Sequence, residues 1–290
     1  MLGKNLAVRS RAVGDNESVR SPLAAMLDLE FAEMSDCGRL RTGNEDFIGR
    51  VVPASEAQAR TRGWLFALAD GVGGNNAGEV ASRTAVEAIA AGFRSAANGE
   101  AYTTLLPKLV QAANTRVHEC GLASPANAGM ASTVVACAVR FDRAVIAHVG
   151  DSRCYLVRGH RVTALTRDHT VANEQARIGV LSSREAERAA TRHVLSRSLG
   201  GDLFVNVDCS EHHLHAGDHL LLCSDGLHGS LDTAELPAIL ARSSSLDEAA
   251  ERLISIANER DGSDNISVQL VRIRSVERVG MYRGRPYTIR

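Results

Sequence analysis

The chain has no excess of either charge. It carries 33 Lys+Arg against 34 Asp+Glu, a net of -1. Nucleic-acid binders usually show a basic surplus, so that class is set aside. No apolar run approaches the roughly 18 residues of a membrane span. Met1 to Glu30 lacks the apolar stretch and small-residue cleavage site of a secretory signal. There is no C-x-x-C pair among the six cysteines, Cys37, Cys120, Cys137, Cys154, Cys209 and Cys223. Several fall within apolar strand-like runs, so they read as reduced, mostly buried thiols of a cytoplasmic protein rather than a disulfide scaffold. No internal repeat is present. What remains is 290 residues, 44% of them apolar, enough for one large core or two small ones.

Residues 1–24 are polar, mixed in charge and without periodicity, the pattern of a flexible leader. Trp64 to Ala69 is short and continuously apolar, which predicts a buried strand ending at Asp70. Asn75 or Asn76 can cap the helix that follows, with Val86, Ile89, Ala90 and Phe93 at helical spacing. Leu106, Leu109, Val110, Ala113 and Val117 mark a second helix. From Thr133 to Leu165 the pattern is strand-like, with turns at Arg140 to Arg143 and at Arg158-Gly159-His160. Residues 168–200 are polar and rich in arginine and read as a mobile insertion. Asp218 to Cys223 predicts a buried strand, Leu246 to Ala257 a late helix, and Ile266 to Arg272 a closing strand. Antiparallel strand runs with paired helices predict a layered α+β domain, sheet packed on sheet. Residues 274–290 are basic with Glu277 the only acid. They read as a surface tail, with docking to an acidic partner as the alternative.

Five aspartate-bearing segments punctuate this pattern: Asn44-Glu45-Asp46, Asp70-Gly71-Val72-Gly73-Gly74, Gly150-Asp151-Ser152-Arg153, Ser224-Asp225-Gly226 and Asp264-Asn265. An isolated Asp-Gly is usually a turn. Gathered carboxylates are costly because like charges repel and burial raises their pKa. If these segments converge, a cation must hold them, and hard divalent ions with oxygen ligands are the natural candidates. Such a set can bind two ions, typically about 3.5–4 Å apart, that ready a water molecule for attack on phosphorus. The glycine loop after Asp70 lacks a Lys-Ser/Thr pair and does not match G-x-G-x-x-G, so a nucleotide loop is disfavoured.

In order along the chain, Ser35 to Asp46, Asp70 to Gly74, Gly129 to Thr133, Gly150 to Tyr155, Ser224 to Leu227 and Asp264 to Ser267 resemble six motifs of one family. It is the PP2C (PPM) family of metal-dependent protein serine/threonine phosphatases, in its bacterial form. The resemblance spans roughly residues 30–272. It implies a four-layer α-β-β-α sandwich, two antiparallel-rich sheets face to face and flanked by helix pairs. A phosphatase domain over residues 25–273 is implied, with a flap segment at about 168–200. It implies two Mn²⁺ or Mg²⁺ ions. Asp70 would bridge both, with the Gly71 carbonyl on one, and Asp225 and Asp264 would complete the first site. Asp46, with Glu45, would hold waters of the second. Asp151 and Asp225 would form the weaker third site of bacterial members. Arg41 would grip the substrate phosphate, which suits the planar guanidinium fork. The implied reaction is hydrolysis of phosphoserine and phosphothreonine on proteins by a metal-bridging hydroxide, opposing a bacterial serine/threonine kinase. The protein would be a cytoplasmic monomer that uses neither nucleic acid nor membrane.

Two departures stand out. Val72 occupies the position where eukaryotic members often carry a histidine, so the general acid is unassigned. Ala131-Ser132-Thr133 stands where Gly-Thr-Thr is usual, which keeps a hydroxyl pair. Two rival functions remain: a phosphatase or phosphodiesterase for small molecules, and a non-catalytic binder of phosphoproteins. His212, His213 and His215 lack a partner at zinc-ligand spacing and read as a surface strand.

Overall fold

The computed structural model describes residues 26–72, 77–282 and 285–288. The leader at 1–24 and the capping residues Asn75 and Asn76 lie outside them. The chain runs β1 (Asp28–Asp36), β2 (Asp46–Val51), α1 (Glu56–Thr61), β3 (Trp64–Val72), α2 (Ala77–Ser95) and α3 (Tyr102–Ala123). Next come β4 (Ala131–Ser132), β5 (Val134–Arg140), β6 (Arg143–Val149), β7 (Arg153–Arg158) and β8 (Arg161–Ala164). Then follow α4 (Val171–Arg177), α5 (Ser183–Arg188), β9 (Asp208–His213), β10 (His219–Cys223) and α6 (Asp225–His228). The last elements are α7 (Leu236–Arg242), α8 (Leu246–Arg260), β11 (Ile266–Ser275), β12 (Val279–Tyr282) and β13 (Arg285–Thr288).

Two antiparallel sheets carry the fold. One is ordered β1-β11-β10-β7-β8 and the other β2-β3-β5-β6-β9, with β4 pairing with β3. The run Trp64 to Ala69 is continuously apolar because both of its faces are covered. Leu65, Ala67 and Ala69 meet α2 and α3, packed with Val86, Ile89, Phe93, Leu106 and Val110. Trp64, Phe66 and Leu68 turn the other way, into the layer between the sheets, against Ile146, Leu220, Leu222 and Val271. A third cluster joins the outer face of the other sheet to α7 and α8 through Leu221, Leu270, Leu240, Leu253 and Ile254. The layers therefore run helix, sheet, sheet, helix, as the resemblance implied.

Differences from the sequence reading are local. Strand β3 continues past Asp70 to Val72, because Gly71 and Val72 pair with Ser132 and Ala131. Residues 168–200 hold two short capped helices rather than bare loop; Ser182 and Glu185 form a reciprocal capping box at α5. Strand β11 extends to Ser275. Beyond it Glu277 is buried, and its carboxylate accepts from Arg60 Nε at 3.1 Å. Of the cysteines, Cys137, Cys154 and Cys223 are buried, Cys37 and Cys120 are intermediate, and Cys209 is exposed; all six are free. No helix among the described residues is long and apolar enough to cross a membrane.

Candidate active site

The acidic segments meet at one end of the two sheets. Asp46 and Asp70 are direct register partners across β2 and β3. Asp225 follows β10, Asp264 precedes β11, and those strands are neighbours in the other sheet. Asp151 precedes β7, which flanks β10 on its other side. The site therefore straddles both sheets.

Mutual repulsion records the convergence. Burial, then the charges of Asp46, Asp225, Asp151 and Asp264, hold the Asp70 carboxyl well above the usual range. Burial lifts Asp46 to about 7, against hydrogen bonds from Ser267 and Ser224 that pull down, with Asp225 and Asp264 adding to the rise. Asp151 is likewise pushed up to about 7, first by burial and then by Asp225. Asp225 and Glu45 are raised mainly by burial as well.

Neutral side chains fix the segments that carry these carboxylates. Ser224 Oγ donates to Asp46 Oδ2 at 2.7 Å and accepts from the Ser267 backbone N–H at 2.9 Å, so one hydroxyl ties the two sheets together. Thr133 Oγ1 accepts the Asp70 N–H at 3.0 Å and bonds Ser152 Oγ at 2.7 Å, while Ser132 Oγ donates to the Asp70 carbonyl at 2.9 Å. The hydroxyl pair kept at 132–133 thus holds both ends of the Asp70 residue. Asn265 braces the loop before Asp46. Its Nδ2 donates to the carbonyls of Cys37 and Gly43, both at 2.9 Å, and its Oδ1 accepts from Glu45 N–H at 2.8 Å. Gly71 must be glycine, since a Cβ there would lie 2.1 Å from the Gly78 carbonyl oxygen. Gly226 repeats the requirement, with Asn265 O at 2.2 Å. The sequence reading named none of Ser224, Asn265 or His228 as functional. Their only signal was adjacency to the aspartates, and what they touch is far away in sequence.

Arg41 stands at the rim, about half exposed. Its Nη2 lies 2.8 Å from Asp264 Oδ2 and its Nε donates to the Ser263 carbonyl at 3.3 Å. Val72 is exposed and offers no proton. All seven site positions anticipated from the sequence, Arg41, Asp46, Asp70, Gly71, Asp151, Asp225 and Asp264, belong to this one region.

The donor set is entirely oxygen, and Asp46 Oδ1 and Asp225 Oδ1 are buried with no hydrogen-bond partner. Orphaned buried carboxylate oxygens are costly in a neutral or anionic setting. A hard divalent cation fits them. A second compact group, His148, His169 and Asp208, places its ligand-type atoms within 4.8 Å of one another. That group already has its cation, because Arg197 Nη1 donates to Asp208 Oδ1 at 2.9 Å. The Gly150 N–H donates to His169 Nδ1 at 3.2 Å, so the proton of this imidazole sits on Nε2, facing Asp208 at 3.3 Å. Among the described residues the three histidines near residue 213 collect no ligand set: β9 ends at His213, leaving His215 beyond the strand.

A family model described as "Protein phosphatase 2C" matches residues 44–270. "Serine/threonine phosphatase stp" of Listeria monocytogenes is 35% identical over 240 residues, 82% of this chain and 93% of that one. Among solved structures, a serine/threonine phosphatase of S. agalactiae superposes with a TM-score of 0.78 at 32% identity, covering 85% of this chain and 100% of the other. The catalytic domain of the phosphatase PstP, solved in complex with two manganese ions, gives 0.73 at 31% identity over 86% of this chain and 99% of that one.

Proposed function

The chain belongs to the protein phosphatase 2C family, and from that premise we propose that its converged carboxylates hold two divalent ions, Mn²⁺ or Mg²⁺, in a protein serine/threonine phosphatase. Asp70, whose carboxyl feels the charges of Asp46, Asp225, Asp151 and Asp264, would hold the ions together with the Gly71 carbonyl. Asp225 and Asp264 would complete the first site, and Asp46 with Glu45 would serve the second. Asp151 and Asp225 offer a third, weaker site. When bound, the ions acidify water and neutralise charge on phosphate oxygens.

The residues of the chain do the rest. Thr133 and Ser132 fix the Asp70 backbone and Ser224 fixes the Asp46 carboxylate, so little reorganisation is needed as charge develops on the transferring group. Arg41, about half exposed at the rim, binds two oxygens of the incoming phosphate. Val72 cannot protonate the leaving oxygen.

The observation that carries this reading is the pair of buried, partnerless oxygens on Asp46 and Asp225 within a set of mutually repelling aspartates. Phosphoserine and phosphothreonine proteins are the substrates, in a cytoplasmic monomer that opposes a serine/threonine kinase. Phosphate release from a phosphothreonine peptide, compared with nucleotides and sugar phosphates, tests it. Release from the peptide is expected with Mn²⁺ and should stop in EDTA. Turnover that survives full chelation, or a preference for the small molecules, rejects it.

A further inference from the structure

Asp151 and Asp225 sit on different loops, and something must set the distance between them. Strands β7 and β10 are paired with Arg153 opposite Cys223. Asp151 lies just before one strand and Asp225 just after the other, so both loops leave the sheet at the same end. Asp225 is the first residue of α6 and His228 the last. One turn of helix thus carries a proposed ligand at its start and an imidazole at its end. That imidazole reaches back across the gap: His228 Nε2 lies 3.0 Å from the Asp151 carbonyl oxygen.

We infer that His228 is a positioning residue, which sets Asp151 against Asp225 by holding the Asp151 peptide. The deduction rests on the metal reading given above. A carbonyl can only accept, so Nε2 carries the hydrogen and the tautomer is fixed. The remaining clamps on the loop lead elsewhere. Ser152 is tied to Thr133 in the other sheet. Arg153 makes a two-pronged bond to Asp168 at 2.8 and 2.7 Å. Gly150 is bonded to His169 through both its N–H and its carbonyl. Among the described residues, His228 makes the one side-chain hydrogen bond between α6 and this loop.

Gly150 has φ +101, and a Cβ there would meet Thr133 Cβ at 2.6 Å. The chain therefore turns sharply just before Asp151, and the orientation of the next peptide decides where the carboxylate points. Partners that orient ligands in this way typically change metal affinity by about 10–100-fold when removed. The two tighter ions would draw on Asp70, Asp264, Asp46 and Asp225, and the His228 imidazole bonds none of these side chains.

Mn²⁺ titration of the full chain, followed by calorimetry and by the signal of free Mn²⁺, tests the inference with no turnover involved. Wild type should show a tight class and a weak class of sites. Asp151→Asn should lose the weak class. His228→Leu should weaken it about tenfold or more and leave the tight class unchanged. His228→Gln, whose amide N–H₂ can donate at the same reach, should stay within about twofold of wild type. If His228→Leu does not fold, His228→Asn, polar but too short to reach the carbonyl, replaces it with the same expectation. A weak class intact in His228→Leu but lost in Asp151→Asn overturns the role of His228 alone. Failure of His228→Gln to rescue overturns it too, since packing rather than donation would then matter. A weak class missing from wild type, or surviving Asp151→Asn, overturns it together with the reading beneath it.

Discussion

Arg41 and Asp264 are ion-paired at 2.8 Å, although the one is proposed to hold substrate phosphate and the other a metal ion. Neither side chain can serve both partners at full strength. The pair lies open to solvent at 49% and 37% exposure, so screening keeps it weak. A metal ion that took Asp264 would therefore free the guanidinium at small cost, and the proposed substrate grip would be linked to metal binding.

Arg41→Ala should accordingly do two opposite things. Losing charge-assisted bonds to phosphate should lower kcat/KM for a phosphothreonine peptide about ten- to a hundredfold, mostly through KM. Losing the competitor for Asp264 should tighten Mn²⁺ binding by up to about fivefold without substrate. Steady-state kinetics and calorimetry check the two arms separately.

Stability without metal should fall as pH rises. Asp46 and Asp151 are pushed up to about 7 in the fold, whereas the unfolded chain releases these protons near about 4. Their contribution is complete below the unfolded value and is lost as pH climbs through the folded one. In EDTA the Tm should therefore drop between about pH 5 and pH 8 from these groups. Mn²⁺ binds the ionised form, so its stabilising shift should grow over the same range. Melting curves in both buffers decide it, and a Mn²⁺ shift of constant size across that range contradicts the pKa assignment.

Asp225→Asn removes charge from a residue whose Oδ1 is buried and partnerless. Phosphate release should fall by at least about a hundredfold, with a rise in the Mn²⁺ needed for half-activation. Relief of repulsion should leave the metal-free protein as stable as wild type or more so. A metal-free variant that melts well below wild type would point to a structural role instead.

Thr133→Val keeps shape and deletes one hydroxyl from between Asp70 N–H and Ser152 Oγ. Two buried polar groups lose a partner, so the chain should lose about 1–3 kcal/mol in urea unfolding. Phe66→Ala, in the layer between the sheets, should cost about 3–5 kcal/mol with no direct effect on metal affinity.

Much of this molecule was legible before folding. The Trp64 to Ala69 run, the helical spacing through Phe93 and Val117, and the hairpin at Gly159 all became the elements their periodicity predicted. Strands β1 and β2 were missed because their burial is partial and irregular rather than alternating. The two helices of 171–188 were missed because each is under two turns long and buries a single alanine. Patterns that short carry almost no periodic signal.

Sequence alone determined the chemistry: five acidic segments at strand ends, a glycine wherever the backbone must come close, and an arginine upstream of the first. Tertiary structure alone decided how these meet. Asp46 faces Asp70 only through strand register, Ser224 reaches Asp46 only because two sheets stack, and His228 reaches Asp151 only because β7 lies beside β10. Local patterns fix what each segment is. Pairings between strands far apart in the chain depend on the whole core closing at once, and no single segment encodes them.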